Sequence, residues 1–437
     1  MSVPQFSAPL SGWDLATWRL GERDASLRST VVGIIEISGH PSIELIRSRA
    51  QVATELHPVL RCTVEQRSEV PHLVELLELN FNLLVTEHFQ ITDVKLFAQE
   101  CAETEFEPQQ PLWKLHVVRT QSRTYILAAL HHSIADGNGA LLLSGYLFDE
   151  SETVNFQRVE FAESSLVDDQ ADAFKNSLQP LLNRALKDPA GLVGDISSVV
   201  SSLGRLLQLP KSPGSTSMTS RGTDFDVRFY EIQKADVRSL IKGKGVTQHD
   251  ALVALVLKLL WNFHSQQSQP LKSARINVPV ATTVDAAAAN RMIVARLECE
   301  VDGAKFDELM QRSHQSLSEW RNEPGLALAT QLVEASRLIP IDILTTAVKQ
   351  ADATISTLRG VARLGHIDGF RIDAIWPLVA PVGAAVSVTS VGVGQSIFLC
   401  ISWDKSAISD SQIWNNVLTE TFSEILPVGC VRHEFAI

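Results

Sequence analysis

The stretch "AALHHSIADGNGALLL" occupies residues 128–143. The run leading into it, "TYILAAL" (124–130), is apolar and rich in strand formers, and "GALLL" (139–143) leads out as a helix. His131 and His132 therefore fall at the end of a strand, with Asp136 and Gly137 in the turn that follows. Successive side chains of a strand face opposite sides, so only one histidine of the pair can face a reaction. The same geometry argues against a metal centre, because two ligands that project oppositely cannot chelate one ion, and only Asp136 stands close enough to be a third. A neutral histidine with a free Nε2 is the common general base near pH 7 for taking a proton from an alcohol or amine. Ser133 is adjacent but points the other way, so the expected chemistry is direct attack by a second substrate with histidine as base. Gly137 and Gly139 permit a tight turn whose N–H groups could face a ligand.

On either side of this stretch, strands and helices alternate. "STVVGIIEIS" (29–38) reads as a strand, and Pro41 opens a helix carrying Ile43, Ile46, Ala50 and Ala53 on one face. "HPVLRCTVEQ" (57–66) and "HLVELLEL" (72–79) read as a strand pair, and "DVKLFAQECAETEF" (93–106) reads as a helix. "PLWKLHVVRT" (111–120) and "TYILAAL" form a hairpin around residues 121–123. A polar stretch with a predicted helix at 168–188 ends in the Ser-, Thr-, Pro- and Gly-rich "LLQLPKSPGSTSMTSRGTD" (206–224). Alternation then resumes with the strand "FDVRFYEI" (225–232), a short helix from Lys234, and "TQHDALVALVLKLLWNFH" (247–264). The last is apolar on nearly every face, with Thr247 and Asp250 spaced as a capping box, and should be buried on all sides. "RINVPVAT" (275–282) and "MIVARLECEV" (292–301) read as strands. Phe306, Leu309, Met310, Leu317 and Trp320 mark one helical face, strands dominate 353–403, and "SDSQIWNNVLTETFSEIL" (409–426) is a closing helix capped by Ser409. The fold class is α/β in two halves of similar pattern: 1–165 with the histidines, 166–224 as linker or crossover, and 225–437.

Bulk properties exclude several classes. Lys plus Arg (38) against Asp plus Glu (50) gives a net charge of −12, which disfavours nucleic acid and anionic membrane surfaces as partners. The five cysteines, Cys62, Cys101, Cys299, Cys400 and Cys430, are scattered and unpaired in spacing, so neither a disulfide framework nor a zinc site is expected. With no basic-then-apolar leader at the N-terminus, a reducing cytoplasm is the expected compartment. The uncharged run 374–394 is long enough to span a bilayer, but Pro377, Pro381, Gly383 and Gly392 make it buried strands and turns. No transmembrane segment is expected.

The motif "HHSIADG" (131–137) resembles the H-H-x-x-x-D-G signature of a superfamily of acyltransferases and condensation enzymes. Its members include chloramphenicol acetyltransferases, nonribosomal peptide condensation domains, bacterial wax ester synthase/diacylglycerol acyltransferases and phthiocerol diacyl transferases. "PLSGWDLATWRL" (9–20), "HPVLR" (57–61), "PLWKLHVVRT", "VTQHDALVALVLKLLW" (246–261) and "NVPVATT" (277–283) stand where such enzymes carry similar segments, so the resemblance covers nearly the whole chain. It implies two chloramphenicol acetyltransferase-like α/β sandwich domains in pseudo-symmetric arrangement, with a channel between them that admits an acyl thioester at one mouth and the acceptor at the other. It also implies that His132 is the general base, that His131 and Asp136 hold the loop, that Gly137 keeps the turn tight, and that Asp136 pairs with an arginine. The wax ester synthase group has an arginine after its Pro-Val strand where this chain has Thr283, so Arg61 is the expected partner, with Arg275 behind it. That group's Asn-Asp is here His249-Asp250, and its Ser-Asn-x-Pro-Gly segment corresponds loosely to "STLRG" from Ser356. Ser356 and Thr357 are candidate oxyanion donors.

The activity implied is O-acyl transfer from a coenzyme A or phosphopantetheinyl carrier-protein thioester to a small-molecule hydroxyl, with no bound cofactor and no metal. The alternatives are a stand-alone condensation enzyme forming an amide or ester from carrier-bound substrates, and a non-catalytic module of the same fold that recruits partners.

Overall fold

The computed structural model describes residues 6–10, 12–67, 70–107, 109–148, 224–269, 271–281, 292–322, 339–349, 351–361, 365–426 and 430–435. The predicted helix at 168–188 and the linker 166–224, apart from its last residue, lie outside them. Two large mixed sheets carry the fold. The first runs, in spatial order, Val85–His88, Trp113–Arg119, Arg123–His131, Thr30–Ser38, Phe370–Val379, His366–Ile367. The second runs Met292–Glu300, Ser273–Ala281, Ala351–Val361, Ala384–Val393, Ser396–Asp404, Phe225–Gln233, Cys430–His433. A small sheet of Ser7–Pro9, Val70–Glu75 and Cys62–Arg67 packs beside the first.

The strand Thr30–Ser38 shows why the first sheet is a middle layer. Val31, Ile35 and Ile37 face one core, to which the helix Ile43–Leu56 contributes Ile46, Ala50 and Ala53. Val32 and Ile34 face the other, shared with Val94, Ala98 and Cys101 of the helix Val94–Ala102. Such a strand, buried on both faces, reads as a nearly continuous apolar run. In the second half the helix Gln248–Gln266 is buried at every residue from Asp250 to Leu260, as its all-round apolar pattern requires. Its capping box is closed: Thr247 Oγ1 accepts from the Asp250 N–H at 3.2 Å, and the Thr247 N–H donates to Asp250 Oδ2 at 2.7 Å. Lys258 lies over the Trp261 ring at 4.5 Å, which lets a cation stand within this apolar helix. The helices Phe306–Arg321 and Ser411–Ile425 complete that layer.

Three local expectations need correction. Pro41 does not open the second helix; Ser42 caps it, its Oγ accepting from the Leu45 N–H, and the helix begins at Ile43. "HPVLR" is not a strand but a 3₁₀ turn over Pro58–Arg61, because Pro58 fixes a helical φ at its first position. Asp410, not Ser409, caps the last helix; its carboxylate accepts from the N–H groups of Gln412 and Ile413.

One pair of strands from late in the chain joins the first sheet. Phe370–Val379 belongs by sequence to the second half, yet it pairs antiparallel with Thr30–Ser38 in the first sheet, and His366–Ile367 extends that edge. The exchange brings Trp376 into a core between the two sheets with Phe229 and Phe398 of the second, at ring separations of 5.8 and 4.7 Å. His433 stacks on the same indole at 4.4 Å. Glu36 is buried here at 2% exposure, contacting the Arg123 guanidinium and accepting from Trp376 Nε1 at 3.3 Å. A buried carboxylate needs such partners.

Trp376→Ala should destabilise the protein by about 3–5 kcal/mol, the usual cost of truncating a fully buried tryptophan. Urea unfolding followed by far-UV circular dichroism measures it. A loss within about 0.5 kcal/mol, the level of an ordinary surface substitution, would mean that the inter-sheet core does not hold the halves together.

Candidate functional site

The strand Arg123–His131 ends at the first histidine, and its neighbour Thr30–Ser38 sets where the pair stands: Thr30 lies opposite His131, and the His132 N–H donates to the Ser29 carbonyl at 2.8 Å. The two rings then diverge. His131 is 5% exposed, with Trp18 and Phe106 edge-on to its ring at 5.3 and 6.2 Å. Its Nδ1 accepts from the Ser133 N–H at 3.2 Å and lies 2.7 Å from Ser133 Oγ. Burial, reinforced by His132 and Arg28, pushes its pKa down to about 3, so this imidazole stays neutral. His132 instead faces a cavity of about 370 Å³ that both halves line.

Asp136 and Gly137 also border that cavity. Asp136 Oδ1 accepts from the Gly139 N–H at 2.8 Å and its carbonyl from the Ala140 N–H at 2.8 Å, so the carboxylate caps the helix Gly137–Gly145. A negative charge there also suits the helix dipole. The expected arginine partner is a correction. Arg61 holds Glu75, with Nη2 and Nε at 2.6 and 2.8 Å from Oε1, and donates to the Thr54 carbonyl. Its place in the 3₁₀ turn aims it there. Arg275 is buried in the second sheet, where its N–H donates to Asp352. Among the described residues no cation stands within ion-pair distance of Asp136; the N–H groups of the first helical turn take that role. Gly137 serves space, not backbone freedom. Its φ is not among the positive ones, but a Cβ there would come within 2.3 Å of Leu358 Cδ2 from the second half.

The strand Ala351–Val361 supplies the facing wall. Ala353 and Ile355 point into the second-half core, so Thr354, Ser356 and Leu358 take the cavity face. Both oxyanion candidates border the cavity, but they differ. Thr357 Oγ1 is 2.9 Å from His249 Nδ1 and accepts from Ser390 Oγ at 3.4 Å, on the side of the long helix. Ser356 stands on the cavity side with Thr354. Burial holds the His249 pKa below the ordinary range, so it meets Thr357 as a neutral ring.

Several cavity residues had no role assigned from the sequence. Trp13, Thr17 and Leu20 come from the helix Gly12–Arg23, with Leu27 and Val31 beside them, and form an apolar wall. Opposite lies a polar row across four strands, Arg296, Asn277, Thr354 and Ser387, which are register partners in turn. In sequence these polar residues show only as the off-beat positions of apolar strands, a signal any solvent-facing strand would share. Among the described residues no group of three or more His, Cys, Asp or Glu is placed to hold a metal ion, and no helix is long and apolar enough to cross a membrane. The run 374–394 is two strands and their connection. Cys62, Cys101, Cys299 and Cys400 are free and buried.

Residues 91–229, which include the histidine pair, match the family model of the wax ester synthase/diacylglycerol acyltransferase catalytic domain. A Mycobacterium tuberculosis protein carrying the name of a diacylglycerol O-acyltransferase is 21% identical over 468 residues, covering 98% of this chain and 93% of that one. The wax ester synthase/diacylglycerol acyltransferase of Marinobacter aquaeolei VT8 superposes with a TM-score of 0.59 at 16% identity, covering 96% of this chain and 98% of that one. The first condensation domain of the CDA synthetase superposes at 0.65 with 11% identity, covering 96% and 95%. These solved structures establish the two-lobed chloramphenicol acetyltransferase-like fold. The chain is thus similar over a segment holding the histidine pair to the wax ester synthase/diacylglycerol acyltransferase catalytic domain, and over nearly its full length to proteins that carry acyltransferase names.

Proposed function

We propose that this acyltransferase moves an acyl group from a coenzyme A or carrier-protein thioester to a hydroxyl acceptor, with His132 as general base. The observation that carries the reading is the division of the histidine pair: His131 is buried against aromatic rings, while His132 faces the cavity between the halves. His132 takes the hydroxyl proton as the acceptor oxygen attacks the thioester carbonyl carbon. The C=O electron pair moves onto oxygen, and Ser356, on the opposite wall, is the side-chain donor we assign to it. When the C–O bond re-forms its double bond, the C–S bond breaks and the thiolate leaves, taking the proton back from His132. The products are an ester and a free thiol. Capping by Asp136 fixes the turn that carries His132, and the approach of Leu358 to Gly137 sets the spacing of the two walls.

Incubation with acyl-coenzyme A of several chain lengths and a mixture of alcohols and amines, with products read by mass spectrometry, tests the reaction class. Esters are expected. Amides alone would replace this reading with the condensation one. His132→Ala should lower turnover about 10²- to 10⁴-fold with the melting temperature kept, as loss of a general base does. Turnover near wild type would remove His132 from the role.

The partner histidine makes a different prediction. A histidine in an unfolded chain titrates near 6.5, whereas His131 in the fold does so at about 3. Between those values the unfolded chain binds a proton that the native protein does not, so stability falls as the pH is lowered through that window. His131→Asn, which keeps an acceptor near Ser133, should lose about 2 kcal/mol less than wild type between pH 7 and pH 5 in urea unfolding. Equal losses in the two proteins would show that His131 is not held neutral.

A further inference from the structure

The polar row on the second sheet ends in a guanidinium that has no counter-charge among the described residues. Arg296 lies on the cavity face of Met292–Glu300, because its neighbours Ala295 and Leu297 point into the second-half core. Asn277 is its register partner on the adjoining strand. Arg296 takes part in none of the ion pairs or side-chain hydrogen bonds found among the described residues. Burial draws its pKa below the ordinary arginine value. Half-buried and unpaired among the described residues, this cation on a cavity wall is prepared for an anion, because withdrawing a charge from water without a partner is costly.

We propose that Arg296 binds a carboxylate carried by the acceptor, so that the acceptor is an anionic hydroxy compound, a hydroxy acid in the simplest case. The assignment to the acceptor rests on the acyl-transfer reading above and on how the cavity is divided. The wall of Trp13, Leu20, Leu27 and Val31 suits an acyl chain, whereas Arg296, Asn277 and Thr354 offer polar contacts to a small hydroxylated molecule. A planar guanidinium matches a carboxylate with two parallel N–H···O bonds, and Asn277 and Thr354 beside it can take the remaining lone pairs.

Two measurements on the full chain test this, each made on wild type, Arg296→Met and Arg296→Gln, so that one variant that fails to fold does not end the test. In calorimetric titration with hexanoate and with 1-hexanol, the ratio of hexanoate to hexanol affinity should fall at least tenfold in the variants. In turnover with acyl-coenzyme A, wild type should prefer 6-hydroxyhexanoate to its methyl ester by tenfold or more in kcat/KM, and the variants should lose that preference. Hexanoate affinity that is the same in all three proteins overturns the anion site. Hexanoate binding that depends on Arg296, together with an acid-to-ester ratio that the variants share with wild type, overturns the assignment to the acceptor. Absence of turnover with any acceptor counts against the acyl-transfer reading, while the titration still decides whether Arg296 binds carboxylate.

Discussion

Backbone pairing along both edges of Thr30–Ser38 organises this protein. On one side it pairs with Arg123–His131, which ends in the histidines, and on the other with Phe370–Val379, which arrives from the far end of the chain. One strand thus fixes the histidine turn and the second half in a single hydrogen-bonded frame. Strand register moves in steps of one residue, and each step reverses every side chain, so the pairing admits no gradual adjustment. The core between the sheets, with Trp376 at its centre, depends on that register, as does the approach of Leu358 to Gly137.

Within this frame the cavity has two unlike walls. The N-terminal helix and the start of the Thr30–Ser38 strand contribute apolar surface, and the second sheet contributes hydroxyls, an amide and a guanidinium set among Pro279, Val294 and Leu358. His132 stands where the turn brings it to the same space, and its neighbour on the strand is withdrawn among aromatic rings. The end of the strand at His131, and the turn in which the His132 N–H is held by the Ser29 carbonyl, produce this separation of roles.

Local features were legible in the sequence where a local rule governs them. The placing of the histidine pair at a strand end follows from the apolar run before it, the burial of Gln248–Gln266 from its apolar faces, and the Thr247–Asp250 cap from three-residue spacing. What escaped depends on contacts far apart in sequence. Nothing in "FRIDAIWPLV" says which sheet it joins, since every strand from 351 to 404 has the same apolar character. A carboxylate at a cavity wall needs compensation, which suggests an arginine for Asp136; the N–H groups of its own helix supply it instead. Arg61 was misplaced because Pro58 turns "HPVLR" into 3₁₀ structure and swings the guanidinium to Glu75. The need for glycine at 137 was readable, but its cause, a leucine from the other half, was not.

The exchanged strand also bears on how the chain is made. Glu36 and Trp376 are hydrogen-bonded across 340 positions of sequence, so the first sheet lacks its neighbour on one edge until most of the polypeptide has left the ribosome. Until then the Thr30–Ser38 edge presents open N–H and C=O groups flanked by isoleucine and valine, the kind of surface that recruits another strand. Closing so long a loop is slow compared with local folding. The nascent N-terminal half therefore carries an unpaired apolar strand edge until the second half is made.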